Sequence, residues 1–284
     1  MLICLVITPK IDLLLINLFF SFSLKNHSHR DNVFCNKMKF IGIIPARYAS
    51  TRFPGKPLII INGKTMIQRV HEQCQKSKFL SAVYVATDDE NIYNHVVDFG
   101  GQAIMTLPTH QSGTDRCLEA VTKITSPLLD NDVVVNIQGD EPFIDPNQID
   151  LLISCFKEPL TDIATLIKEI HFSEDLFNVN KPKVILNKSR EAIYFSRSPL
   201  PYLRGVAESE WLNHFTFYNH IGIYAYKKAV LEQITMLPAS SLEIAESLEQ
   251  LRWIENGFRI KTQVTDIESL SIDTPEDLKK IKKE

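Results

Sequence analysis

The chain has 284 residues, 44% of them hydrophobic, and a formal net charge of -3. That is long enough to bury a substantial core, as one large domain or one domain plus a lobe. The charge balance excludes a general basic face for nucleic acid, so any anion site has to be local.

Residues 1–37 stand apart from the rest. LLLINLFFSFSL (13–24) is strongly apolar but short for a bilayer span, which needs about 20 residues. No small-residue cleavage site follows it, and SLKNHSHRDNVFCNK reads as polar linker. We read 1–37 as an extension outside the fold; a membrane anchor or targeting segment, or an ordered part of the domain, are the alternatives. The five cysteines, Cys4, Cys35, Cys74, Cys117 and Cys155, form no CxxC pair. They fit buried or incidental thiols in a reducing compartment better than a zinc site or a disulfide framework.

From Met38 the pattern is regular. KFIGIIP (39–45) is a near-continuous apolar strand of the kind covered on both faces. TMIQRVHEQCQKS (65–77) has helical spacing at Met66, Ile67, Val70 and Cys74. AVYVATDD (82–89) is a strand ending in acids, NIYNHVVDFG a helix stopped by Gly100, and QAIMT a further short strand. After the loop LPTHQSGTDR, Ser112 and Asp115 form a capping pair for a helix through Cys117, Leu118 and Val121. NDVVVNIQGDEP (131–142) is a fourth strand of the same type. Alternating strands and helices imply an α/β fold with a mostly parallel, Rossmann-like sheet, helices on both faces and ligands at the carboxyl ends of the strands.

The middle changes character. DIATLIKEI, PKVILNK and EAIYFSR read as short strands, and GVAESEWLN as loop or irregular helix, giving an inserted smaller β-rich lobe at about 160–220. HFTFYNHIGIYAYKKAVL returns to strand and then helix. SSLEIAESLEQLRWIENG (240–257) reads as one amphipathic helix, FRIKTQVTD as a strand, and TPEDLKKIKK as a terminal helix capped by Thr274 and opened by Pro275.

Three groups of polar residues fall at strand ends. PARYASTRFPGKP carries Arg47, Arg52 and Lys56 among small residues, a composition that can cradle a triphosphate, although neither GxxxxGK[ST] nor GxGxxG is present. A surface-exposed basic turn is the bland alternative. VVNIQGDEP places Asp140 and Glu141 after a buried strand, and SIDTPEDL places Asp273 between strand and helix. Two such carboxylates opposite a basic loop could share one magnesium ion, while each alone could be a turn or helix cap. There is no GxSxG or HExxH. His110 and His220 adjoin polar segments, whereas His71 and His95 fall inside helices and read as structural. Arg197 and Arg204 could pin an anionic substrate or be solvated.

Taken in order, PARYASTRFPGKPL, HQSGTDR, VNIQGDEP, YFSR, HIGIYAY, SLEIAESLEQLR and IDTPEDL resemble the 3-deoxy-manno-octulosonate cytidylyltransferase family, from about Lys39 to the C-terminus. The resemblance implies a cytidylyltransferase domain over 38–284. It implies transfer of CMP from CTP to the anomeric hydroxyl of 3-deoxy-D-manno-octulosonate (Kdo), with release of pyrophosphate, for lipopolysaccharide biosynthesis. It also implies Mg2+ as cofactor, a cytoplasmic homodimer, and no nucleic-acid partner or stable membrane association. By the same resemblance Arg47, Arg52 and Lys56 bind the triphosphate. Gln111, Ser112 and Gly113 form the cytidine-side loop, and Asp140 and Asp273 are the magnesium carboxylates. Gln138, Arg197, His220, Glu249 and Gln250 fall on the sugar side. No general base is assigned. Leu107 and Ser271 depart from the pattern, standing where relatives often have a polar residue or arginine and a glycine. An 8-amino analogue of Kdo is the alternative substrate; a sialic acid, a catalytically silent binding protein and a membrane-tethered interaction protein are weaker readings.

Overall fold

The computed structural model describes residues 38–49, 53–268 and 270–278. The strands are β1 (Phe40–Ala46), β2 (Ile60–Ile61), β3 (Lys64–Thr65), β4 (Ala82–Thr87), β5 (Gln102–Met105), β6 (Val133–Asn136), β7 (Ile163–Glu169), β8 (Lys183–Leu186), β9 (Ala192–Ser196), β10 (Tyr218–Lys227) and β11 (Ile260–Val264). The helices are α1 (Met66–Cys74), α2 (Glu90–Asp98), α3 (Gly113–Thr122), α4 (Pro146–Ser154), α5 (Ser173–Phe177), α6 (Trp211–His214), α7 (Lys228–Thr235), α8 (Ser241–Glu246), α9 (Gln250–Glu255) and α10 (Pro275–Leu278).

The central sheet has the order β11-β7-β10-β6-β1-β4-β5. β1 pairs in parallel with β4 and β6, β4 with β5, and β11 with β7. β10 runs antiparallel to its neighbours β6 and β7. The sheet is therefore mostly parallel, as the sequence implies. Alternation along the strands sends side chains to two cores. Ile41, Ile43 and Val134 pack against α3, α7 and α9 through residues such as Val121, Leu231 and Trp253. Ile44, Val133 and Val135 pack against α1, α2 and α4 through Ile67, Val96 and Leu152. Burial on both faces is what keeps these strands apolar along their whole length.

DIATLIKEI is more than a peripheral strand: as β7 it lies inside the main sheet between β11 and β10. β8 and β9 form a hairpin that hydrogen-bonds to the start of β10. Beside it, Ile170, Leu176, Trp211 and Phe217 make a small core of their own. The helix α4, opened by Pro146 and capped by Asp145, and the hairpin β2–β3, turned by Asn62-Gly63 with positive φ at both positions, are further elements. An Asn-Gly pair suits that turn because both residues tolerate left-handed backbone.

The single helix expected over 240–257 is instead two helices. Ser247 adopts a left-handed conformation (φ 51) between α8 and α9. The cause is tertiary. In a continuous helix the carbonyls of Glu246 and Ser247 would accept from residues 250 and 251. Here Arg197 Nε donates to Glu246 O (2.6 Å) and its Nη2 to Ser247 O (3.2 Å). Arg252 closes the break, its guanidinium bonding Glu243 at 2.8 and 2.6 Å.

Candidate active site

The apolar strand β1 runs into a basic segment because its carboxyl end opens on a cleft. Arg47 follows β1 directly and lines the cleft. Gly55, at φ 68, lets the chain reverse, with its N–H bonded to Tyr48 O. A one-turn helix over Lys56–Leu58 then sends Lys56 into the same cleft. Arg52 lies outside the described residues.

Across the cleft, β6 continues into Gln138-Gly139-Asp140. A Cβ on Gly139 would stand 2.8 Å from Pro45 O, so only glycine lets this loop lie against the end of β1. Asp273 is brought to the same place from the C-terminal segment. Ile272 donates its N–H to Asp140 O (2.9 Å) and is fully buried in a small core with Ile61 and Met66. The Lys56 ammonium ends between the two carboxylates, 2.8 Å from Asp140 Oδ2 and 3.3 Å from Asp273 Oδ1. The sequence proposes a basic loop opposite two strand-end acids, and the structure brings Lys56, Asp140 and Asp273 together.

These carboxylates lie between two clefts. The first, of about 240 Å³, is lined by Arg47, Lys56, Gln111, Ser112, Gly113 and Gln138 as well as both acids. Its far wall is the N-terminus of α3, where Ser112 and Asp115 form the expected capping box. The amide end of a helix favours negative charge there. The preceding loop is fastened by Glu119, which accepts from the Leu107 amide (2.8 Å) and pairs with His110 and Lys123. Burial alone would push the Glu119 carboxyl up, but these partners together hold it down to about 2. Leu107 thus contributes its backbone, while its side chain is exposed.

Arg116, the last residue of HQSGTDR, is a site residue that the motif analysis passed over. It is buried in the cleft wall, donating to Thr106 Oγ1 (2.6 Å) and pairing with Asp88 (3.3 Å). An arginine on the apolar face of a helix, within a polar motif, was the available signal.

The second cleft, of about 660 Å³, shares Gln138, Asp140 and Asp273 with the first and includes His220, Lys168, Lys181 and Ser271. Gln138 donates to Gly222 O (2.8 Å) where β10 shifts register against β7. The Thr165 hydroxyl fills this irregularity, donating to Ile223 O (2.8 Å) with His220 Nε2 at 3.1 Å. Burial pushes the His220 imidazole down to about 3. It can offer a hydrogen bond to a ligand but no positive charge, and its basicity is too low for an effective general base near neutrality.

Three sugar-side residues implied by the resemblance stand outside both clefts. Arg197 spends its donors on the carbonyls of Glu246, Ser247 and Val179. Glu249 lies behind the start of α3, where it accepts from Thr114 Oγ1 (2.9 Å); burial raises its pKa. Gln250 is buried, and among the described residues its Nε2 has no hydrogen-bond partner. Arg204 is exposed and lines neither cleft. His71 is buried against Phe99, and His95 bonds Thr65 Oγ1 (2.8 Å), so both are structural. Among the described residues Cys74, Cys117 and Cys155 form no disulfide and are buried, with burial raising each thiol. Cys4, Cys35 and the rest of 1–37 lie outside the described residues.

Fold and site together define a nucleotidyltransferase. A family model described as Cytidylyltransferase matches residues 41–263. A 3-deoxy-manno-octulosonate cytidylyltransferase of Parabacteroides distasonis is 60% identical over 247 residues, covering 86% of this chain and 96% of the relative. One of Bacteroides thetaiotaomicron is 58% identical over 245 residues, covering 85% and 96%. The solved structure of CMP:2-keto-3-deoxy-manno-octonic acid synthetase complexed with CTP matches with a TM-score of 0.78 and 41% identity, over 86% of this chain and 96% of that one. The chain belongs to the 3-deoxy-manno-octulosonate cytidylyltransferase family. A 4-diphosphocytidyl-2C-methyl-D-erythritol synthase, at 13% identity and a TM-score of 0.57, shares the fold alone.

Proposed function

We propose that this chain transfers CMP from CTP to the anomeric hydroxyl of Kdo. The sugar oxygen attacks the α-phosphorus, the bond to the β-phosphate breaks, pyrophosphate leaves, and the hydroxyl proton passes to solvent. The observation that carries this reading is the pair of clefts meeting at Asp140 and Asp273. A nucleotide in one and a sugar in the other would present their reacting atoms to each other there. Close relatives named for this activity, and a similar structure complexed with CTP, support the same assignment.

The two carboxylates also fit Mg2+. Their Lys56 partner marks the space between them as one that takes a cation. Mg2+ is commonly held by one or two carboxylates and completes its shell with water and phosphate oxygens. Once bound, it would neutralise charge on the triphosphate. Lys56 and Arg47, which line the first cleft, and by resemblance Arg52 would bind the phosphates. The N-terminal turn of α3 borders the nucleotide, and Gln138 and His220 offer hydrogen bonds on the sugar side. Transfer of this kind depends mainly on positioning and charge neutralisation. We extend the proposal to a homodimer working in the cytoplasm, on the family resemblance. Among the described residues no helix is long and apolar enough to cross a membrane.

One observation favours a second substrate. Six carboxylates and two lysines line the second cleft, an excess of negative charge that would welcome the ammonium of an 8-amino analogue of Kdo. Pyrophosphate release with magnesium, each nucleoside triphosphate in turn, and either sugar tests both readings. Release is expected with CTP, sugar and metal together, and the ratio of kcat/KM for the two sugars decides between them. Silence of the folded protein with every acidic sugar would contradict the assignment.

A further inference from the structure

The two carboxylates between the clefts have unequal supports. Asp140 closely follows β6, and Gly139 lets its loop lie against the end of β1. Asp273 has no such strand behind it. Among the described residues, neither strand nor helix lies between Val264, at the end of β11, and Pro275, at the start of α10. Ile272 fixes where the segment passes, through its amide on Asp140 O (2.9 Å) and its burial with Ile61 and Met66. One anchored residue still leaves the two backbone torsions of the next one unset.

Asp277 sets them. Its Oδ2 accepts from the Asp273 amide (3.1 Å), the Thr274 amide (2.9 Å) and the Thr274 hydroxyl (2.9 Å). The two amides belong to the two peptide planes that flank the Asp273 Cα. Closing both on one anionic oxygen fixes the φ and ψ of Asp273, and with them the direction of its side chain. Asp277 is placed in turn by its own amide on Thr274 O (3.1 Å) and by Leu278, which packs on the small core around Ile272. Capping α10 accounts for the bond to the Thr274 amide. The bond to Asp273, one residue further out, serves the site.

We propose that Asp277 is a positioning residue for the transfer: it fixes the backbone of Asp273 so that the Asp273 carboxylate faces Asp140 where the clefts join. Asp277 itself lines neither cleft. This rests on the assigned reaction, with Mg2+ held by Asp140 and Asp273. A carboxylate turned into place only when the ion arrives loses affinity to the ordering of its backbone, whereas one held beforehand does not. Asp277 thus acts through Asp273 and not on the substrates.

Calorimetric titration with CTP, once with Mg2+ and once with a chelator, tests this without turnover, since Kdo is omitted. In wild type Mg2+ should tighten CTP binding. D277A should lose about tenfold of that enhancement, the low end for a group one step behind a metal ligand. Its binding of chelated CTP should stay at wild type, and its melting temperature within about 4 °C, the worth of one cap. D277N, whose amide oxygen still accepts from both N–H groups, should keep most of the enhancement. In D273A the further change D277A should cost nothing, because a residue acting through Asp273 has nothing left to position. Full enhancement in D277A, or an equal further loss in D273A, overturns the inference and leaves the assigned reaction standing. So does a loss of chelated CTP binding with a larger fall in melting temperature, the signature of a detached terminal helix. A wild type whose CTP binding ignores magnesium sinks the assigned metal role, and this inference with it.

Discussion

The two clefts that meet at Asp140 are built in opposite ways. The nucleotide side is tied down before any ligand arrives: Ser112 and Asp115 cap α3, Glu119 gathers Leu107, His110 and Lys123, and Arg116 is buried against Thr106 and Asp88. The second cleft carries its charges on strand β7, on the short helix α5 and on loops, and Glu268 lies 3.5 and 3.7 Å from its two lysines. Hydrogen bonds within the protein, more than cleft size, thus set the two clefts apart.

The largest effect is expected where the clefts join. D273A should lower kcat by about a thousandfold or more, the loss typical of removing a main centre of transition-state charge stabilisation. Its circular dichroism should match wild type, because Ile272 rather than Asp273 anchors the segment in the small core. A kcat within tenfold of wild type would mean that the junction does not carry the chemistry.

The next effect separates the two sides by pH. Glu119 is held at about 2 against an ordinary value of 4.5. A carboxyl depressed in the folded state contributes stability that is full above 4.5 and is lost as pH falls towards 2. Denaturant midpoints should therefore fall across that window in wild type and show a shallower slope in E119Q. At neutral pH E119Q should raise KM for CTP while leaving KM for Kdo unchanged. A change confined to the sugar would dissolve the distinction between the clefts.

Smaller effects concern the bend behind the site. R197M removes the donors that hold the carbonyls of Val179, Glu246 and Ser247. A stability loss of about 2 kcal/mol is expected, read as a lower melting temperature with less change in KM for Kdo. S247G should act in the opposite direction, by about 1 kcal/mol, because glycine adopts the left-handed conformation without the penalty serine bears. A melting temperature unchanged or lowered in S247G would contradict a tertiary origin for the helix break.

Much of the nucleotide side was legible in the sequence because its signals are local. A capping pair four residues long, an apolar strand stopping at a proline and QGDEP after buried valines each announce their geometry within one short stretch. Asp273 reads as a strand-end acid in the sequence, but β11 ends at Val264 and Asp273 lies in the segment before α10, so its approach to Lys56 depends on Ile272 burying beside Met66. The sugar side was harder to read. Arg197 looks like a free cation in YFSR, and only the carbonyls that come to it from three other positions reveal its structural use. Leu242, Ala245, Leu248 and Leu251 continue the helical period through 247, so the break left no trace in the pattern. Lys168 interrupts an apolar strand, yet its neighbours in the cleft, Lys181 and Glu268, come from other segments of the chain.

Whether one nucleotide and one sugar are joined between the clefts is decided best by phosphorus NMR of the purified protein with CTP, Kdo and magnesium. A sugar phosphodiester of CMP and pyrophosphate should appear in equal amounts, with neither forming when CTP, sugar or metal is omitted. Pyrophosphate released without sugar, or a product formed equally well from another nucleoside triphosphate, would contradict the joining of the two substrates at Asp140 and Asp273.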